Sequence, residues 1–356
     1  MFWSRKRSAT GKRILVLPPH DVWSAWTGRA PSDDEDREGP YRLLAQSGFT
    51  TRRMDIHGFP LNPAARSHPA LRAIDPLRAL HVLLFERQAS LVLCFFESSA
   101  LVILLLRRLL RFPAKIAVVD LGALDGWRLR RLILDIVVPR ADVLLPLSAD
   151  QATRFRSIWP NAASIQPVYA QTDCDFFAAA PDHPQAYILA IGDDKSRDYA
   201  TLLAAAASLT CPIAIRTRLI APDADLPRNV MILSQPTPMP AYRDLIAGAS
   251  IVVLPLHPSH YAGGVTSLVQ AMASGKAVVV SASPGIMEYV VDEETALIVP
   301  CHDEAALHQA IARLLSDTAL RLRLGAAARK RAVDLFSLEA WAATIELLAL
   351  ASSTPL

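Results

Sequence analysis

Gly263–Gly264 is the only adjacent glycine pair in the chain, and its setting suggests chemistry. It follows an apolar run of strand length, Ile251–Leu256, and opens a helix-patterned stretch, Val265–Ala273. Amides at a helix start point outward and favour an anion, and glycine lets a phosphate approach the backbone closely. A plain strand-to-helix turn would carry the same residues. Glycine is scarce, 14 in 356 residues, against a usual share of roughly 7%. Five of them, Gly192, Gly263, Gly264, Gly275 and Gly285, lie near strand ends in the second half.

Other chemistries lack their residues. There is no GxxxxGK[ST] phosphate loop, no GxGxxG fingerprint, no GxSxG elbow and no HExxH. His257 and His260 stand three apart, and the remaining histidines add no ligand spacing, so no metal is expected. Cys94, Cys174, Cys211 and Cys301 form no CxxC pair, which fits reduced thiols in a cytoplasmic protein. A net charge of +3 is too even to predict a nucleic-acid partner. Arginine outnumbers lysine 31 to six. That suits phosphate or carboxylate recognition, and GC-rich codon usage explains it equally well.

These residues need elements to hold them. The hydrophobic share of 52% supplies a core and excludes disorder, and the length predicts two domains. Strand-length runs alternate with helical patterns: Arg13–Leu17, Thr51–Ile56, Leu91–Phe96, Ile116–Asp120 and Val143–Leu147 read as strands. Helices are predicted over Tyr41–Gln46, Leu77–Glu86, Ser99–Arg111, Trp127–Val138 and Asp150–Ile158. The alternation restarts at Tyr187–Ile191 and continues to Ala277–Ser281, with the proline-bearing stretch Gln166–Pro184 as the linker. Two such series imply parallel sheets flanked by helices, hence two Rossmann-like domains with a cleft between them as the default site.

The most apolar stretch, Leu91–Leu106, is interrupted by Glu97, Ser98 and Ser99, and neither side reaches the roughly 20 residues of a membrane span. Basic and apolar residues do mix in Trp127–Val138 and in the first 13 residues. Such segments can seat a protein on an anionic bilayer, and solvated arginines on ordinary helices would look alike. The expected location is the cytoplasm, with peripheral contact to the inner face of the membrane left open.

The second half resembles a known family. Ala262–Val265 followed by Gln270-Ala271-Met272-Ala273-Ser274-Gly275-Lys276-Ala277-Val278-Val279 is similar to the signature of glycosyltransferase family 4, enzymes of the GT-B fold. Ser283–Val290, Thr295–Pro300, Gly192–Arg197 and the joint Asp173–Phe177 fit the same pattern. The resemblance covers about residues 165–350. It implies a bacterial-type enzyme that moves a sugar, with retention and without a bound metal, from a nucleotide-diphosphate sugar to a glycan or lipid-linked acceptor. It places an acceptor domain in residues 1–171, a donor domain in 172–336, and a last helix, 337–356, crossing back to the first domain.

By the resemblance, Arg197 meets the diphosphate, with Lys195 as a second candidate beside Gly192. Gly263, Gly264, Val265 and Thr266 offer backbone amides, and Glu288 accepts from sugar hydroxyls. The family's two glutamates, eight positions apart, fall here on Ala262 and Gln270. Gln270 can accept from a ribose but is neutral, and His260 or Tyr261 would fill the space left at Ala262. In the first domain, His20, Glu97, Ser98, Asp120 and Asp125 stand near strand ends, and Asp120 or Glu97 would orient the acceptor. Two rivals stay open: an inverting enzyme or epimerase on the same fold, and a degenerate, non-catalytic partner in glycan assembly.

Overall fold

The computed structural model describes residues 12–18, 43–44, 46–54, 76–120, 128–178, 187–221 and 224–351, and the side chains of 128–130 are not described. His20, Asp125 and residues 1–11 of the basic N-terminal segment lie outside the described residues.

The first unit is a five-stranded sheet in the order β2-β1-β3-β4-β5, parallel throughout. Its strands are β1 (Arg13–Leu17), β2 (Thr50–Arg53), β3 (Ala89–Phe95), β4 (Lys115–Val119) and β5 (Val143–Leu145). Helices α1 (Pro76–Phe85), α2 (Phe96–Leu106), α3 (Arg128–Val137) and α4 (Ala149–Ile158) lie between or after them. Leu91–Phe95 of β3 and Ile116–Val119 of β4 are unbroken apolar runs, as strands buried on both faces of a parallel sheet require.

The second unit carries β6 (Tyr187–Ile191), β7 (Ile213–Arg216), β8 (Val230–Leu233), β9 (Ala249–Leu254), β10 (Ala277–Ser281) and β11 (Leu297–Val299). These pair in the parallel order β11-β10-β9-β6-β7-β8. Strand order reverses between β6 and β9, which makes the loops after those two strands the topological switch point where open α/β sheets bind ligands. The helices are α5 (Tyr199–Ala206), α6 (Met239–Gly248), α7 (Val265–Ala273), α8 (Glu304–Ser316), α9 (Thr318–Leu335) and α10 (Leu338–Ala351). Asp198, Asp303 and Asp317 cap α5, α8 and α9, each accepting from a first-turn amide.

The described second unit runs from Tyr169 to Ala340, and α10 from Trp341 onward packs with the first unit. There Lys12 Nζ donates to Ala349 O at 3.4 Å, and Trp341, Ile345 and Ala349 are buried.

Three local expectations need correction. α2 starts at Phe96, so Glu97 sits in its first turn, buried, rather than on a strand end. The same helix stops at Leu106, before the arginines. Arg107 instead makes a two-pronged pair with Asp142 at 2.6 and 3.2 Å, and Arg111 takes a left-handed φ of 48°. The 18-residue helix α9, mostly arginine, leucine and alanine, escaped the sequence reading because its apolar stripe is weak. Among the described residues no helix is long and apolar enough to cross a membrane.

Candidate functional site

Gly192 directly follows β6, at a φ of 148°. Its carbonyl is held twice, by the Thr217 hydroxyl at 2.7 Å and by Tyr199 Oη at 2.8 Å. Burial pushes the Tyr199 hydroxyl up to about 12, so it stays a donor. Asp193 next to it accepts from Arg216 Nη1 at 2.6 Å and from Arg218 N at 2.7 Å. Burial alone would raise the Asp193 carboxyl. The Arg218 amide and the two guanidinium groups outweigh it and hold the group below the usual range.

The loop then crosses to the other side of the switch point. Arg197 bridges Leu256 in antiparallel fashion, Asp198 N donates to Pro255 O at 3.0 Å and His257 N donates to Ser196 O at 2.8 Å. This short ladder carries Arg197 inward, to 6% exposure. Its Nε lies 3.1 Å from Asp194 Oδ2, and its Nη2 donates to Ser267 Oγ at 3.2 Å. Its Nη1 is buried and meets no hydrogen-bond acceptor among the described residues.

Gly264 explains where Nη1 sits. It is the N-cap of α7, at φ 83° and ψ −5°, a conformation L residues rarely adopt. A Cβ there would lie 2.5 Å from Arg197 Nη1, and a Cβ on Gly192 would overlap the same guanidinium. Gly263 is equally constrained, because its missing side chain is replaced by Ser196, whose Cβ would lie 2.6 Å away. The small residues therefore make room for a buried cation at a helix start. Two of the four expected amides are used within the turn: Gly263 N donates to Tyr261 O at 2.7 Å and Val265 N to Ala262 O at 3.2 Å. The N–H groups of Gly264 and Thr266 have no acceptor among the described residues, and Thr266 is exposed. An anion arriving here would meet these two amides, with the buried Arg197 guanidinium packed against Gly264 behind them.

The other sequence candidates divide. Lys195 is exposed on the same loop. His260 is exposed and Tyr261 half-buried in the turn before Gly263, and Tyr261 N donates to Ser259 Oγ at 3.0 Å. Gln270 is buried one turn beyond Ser267, and its carbonyl accepts from Tyr242 Oη at 3.1 Å. Glu288 lies on a short 3-10 turn, Pro284–Tyr289, whose Gly285 packs its Cα against the Tyr261 carbonyl. Its carboxylate is hydrogen-bonded to Tyr169, whose hydroxyl is raised by burial first and by Glu288 second. Glu97 and Asp120 belong to the first unit, Glu97 just after β3 and Asp120 just after the neighbouring β4, with φ 53° at Asp120.

Sequence reasoning missed Ser267, Tyr242 and Asp194, which grip Arg197 and Gln270. Ser267 had a signal, being three residues from Gln270 on one helix face; Tyr242 had none. It also missed Asp198, whose carboxylate takes hydrogen bonds from Thr201 N at 3.1 Å, Thr201 Oγ1 at 2.7 Å and His302 Nδ1 at 2.7 Å.

Residues 216–331 match the family described as Glycosyl transferases group 1. Among solved structures, sucrose-phosphate synthase from Thermosynechococcus elongatus is similar at a TM-score of 0.73 and 19% identity, over 96% of this chain and 98% of that one. A glycosyltransferase from Rickettsia africae is similar at 0.67 and 13%, over 97% and 99%. Anabaena Alr3699/HepE in complex with UDP-glucose is similar at 0.69 and 15%, over 95% and 99%. No curated protein matches the chain. The likeness spans both units, and the fold is GT-B, two parallel-sheet α/β units.

Proposed function

We propose that this chain moves a sugar, with retention, from a nucleotide-diphosphate sugar to a glycan or lipid-linked acceptor. The observation that carries the reading is the buried Arg197, whose Nη1 lacks an acceptor at the glycine-lined start of α7. A departing diphosphate gathers negative charge, and a preorganised cation with helix-start amides stabilises it without a metal at the phosphates. Lys195 adds charge at the mouth of the same loop. The match of residues 216–331 to a glycosyltransferase family, and a similar protein crystallised with UDP-glucose, support the donor assignment.

In this reading Gln270 and the exposed Thr266 line the nucleotide side, and His260, Tyr261 and Glu288 border the sugar. Glu97 and Asp120, on the first unit, orient the acceptor. Peripheral contact with an anionic bilayer is supported by exposed apolar side chains on the first unit, Leu84 and Phe85 on α1, Leu105 on α2 and Leu109 just beyond it, near the exposed Arg108 and Arg111. Flotation with and without anionic lipid tests that part, and indifference to lipid charge overturns it.

Thermal-shift screening against UDP, GDP, TDP and ADP tests the donor site. A ligand that binds only the folded state raises Tm. One nucleotide is expected to respond and Arg197→Ala to weaken the response; silence from all four removes the catalytic reading. A second reading, a non-catalytic binding partner, is favoured by Ala262 and Gln270 at the two glutamate positions. Nucleotide binding without turnover of any nucleotide sugar would select it.

A further inference from the structure

Asp198, His257 and His302 are far apart in sequence and meet where the loops after β6, β9 and β11 converge. His302 Nδ1 lies 2.7 Å from Asp198 Oδ2, and His257 Nδ1 lies 3.9 Å from the same oxygen. The two imidazole rings are 5.0 Å apart, tilted by 39°. One ligand atom from each residue falls within 4.8 Å of the other two. An ion about 2.0–2.2 Å from its nitrogen and oxygen ligands needs them roughly 3–3.5 Å apart. The observed separations bracket that range, and both imidazoles are half-exposed and able to rotate by the small amount required.

We propose that Asp198, His257 and His302 bind one divalent transition-metal ion, of the Zn²⁺ or Co²⁺ class, that braces the loops carrying Arg197. Two imidazoles and one carboxylate suit these borderline metals; Mg²⁺ and Ca²⁺ take oxygen ligands. The ion replaces the proton now shared between His302 Nδ1 and Asp198 Oδ2. That proton moves to Nε2 if the ring was neutral, and to water if it was charged.

Two further observations fit a ligand set. Thr201 fixes the Asp198 carboxylate through both its amide and its hydroxyl, the kind of outer contact that orients a metal-bound carboxylate. His302 holds a left-handed φ of 62°, a backbone position where glycine would be easier. Three protein ligands on a surface open to water leave room for a fourth. Asp198 directly follows Arg197, and His257 N already bonds Ser196 O, so the ion would stiffen the segment that presents the guanidinium. It is a brace, not the Lewis acid of the transfer, and it stands apart from the donor reading.

The test uses the full chain without a histidine tag, stripped by chelator and titrated with ZnCl₂ and with CoCl₂. One ion per chain is expected, with visible ligand-field bands for Co²⁺ and a higher Tm in Zn²⁺. His257→Ala and His302→Gly should each weaken binding by more than about tenfold. Glycine takes the left-handed backbone freely, so His302→Gly should keep or raise the metal-free Tm, separating lost ligation from lost folding. His308→Gln, a histidine on α8 held by Ser208, should bind as the parent does. No binding, or binding unchanged when both ligand histidines are replaced, overturns the proposal, as does loss of binding in His308→Gln.

Discussion

Replacing Gly264 by alanine tests whether the start of α7 is shaped around Arg197. The backbone there is left-handed, φ 83°, a conformation that costs an L residue about 1–2 kcal/mol. The new methyl would stand 2.5 Å from Arg197 Nη1, 3.1 Å from its Cζ and 3.2 Å from Leu256 Cδ2, inside the ~3.5–4.0 Å of an ordinary contact. The guanidinium must leave, since the helix backbone cannot. For a unit of this size the backbone cost lowers Tm by roughly 2–8 °C. For a bound nucleotide the loss is one charge-assisted interaction, about 1.5–3 kcal/mol, or about 10- to 100-fold in Kd. Calorimetric titration with the responding nucleotide reads the second effect, and a melting curve reads the first. The decisive arm is Arg197→Ala/Gly264→Ala. If the methyl acts by displacing the guanidinium, it adds almost nothing to the Kd of Arg197→Ala while still lowering Tm. Full additivity in Kd, or unchanged affinity in Gly264→Ala alone, would refute the reasoning.

Asp193→Asn should destabilise the second unit by about 1–3 kcal/mol, because hydrogen bonds from Arg216 and the Arg218 amide lose their charge. The folded pKa of Asp193 lies below its unfolded value, so its contribution is present above the usual carboxylate range and lost as pH falls through the folded value. The acid-side fall in Tm should accordingly be shallower in the variant, which melting curves stepped downward in pH would show. Gly285→Ala forces a methyl into the Tyr261 carbonyl, and a loss of about 1–3 kcal/mol in denaturant unfolding is expected. Cys174 is buried, and burial pushes its thiol up to about 11. A thiol reagent at neutral pH should therefore modify the half-buried Cys211 and Cys301 well before Cys94 and Cys174, as intact-mass time courses would record.

The parts of the fold that could be read in advance were those written in local pattern. β6, β7, β10 and α7 begin and end where their apolar runs do, because a strand buried on both faces needs no help from context to be recognised. Gly263–Gly264 was legible for a similar reason, since only glycine fits both the turn and the crowding by Ser196 and Arg197. What could not be read was convergence. Tyr242 reaches Gln270, and His302 reaches Asp198, only because β9 lies beside β6 and β11 lies two strands further out, an order that no local pattern specifies. Glu97 was misplaced for a smaller cause: α2 begins directly at the end of β3, with no intervening loop residue to announce it.

Thr172 N donates to Phe336 O at 2.8 Å, Thr172 and Ser337 pair as a parallel bridge, and Tyr169, Tyr289 and Phe336 stack about that joint. The described part of the second unit, Tyr169–Ala340, thus begins and ends at one spot. The first unit lacks that property, because Trp341–Ala351 follows the second unit along the chain and groups with the first. On the ribosome the order of completion is therefore inverted. The earlier half must wait, with part of its apolar surface uncovered, until the later half has been made and can already close on itself. Chains released before Trp341 would carry the whole described stretch of the second unit, Tyr169–Ala340, and a first unit that lacks one of its helices.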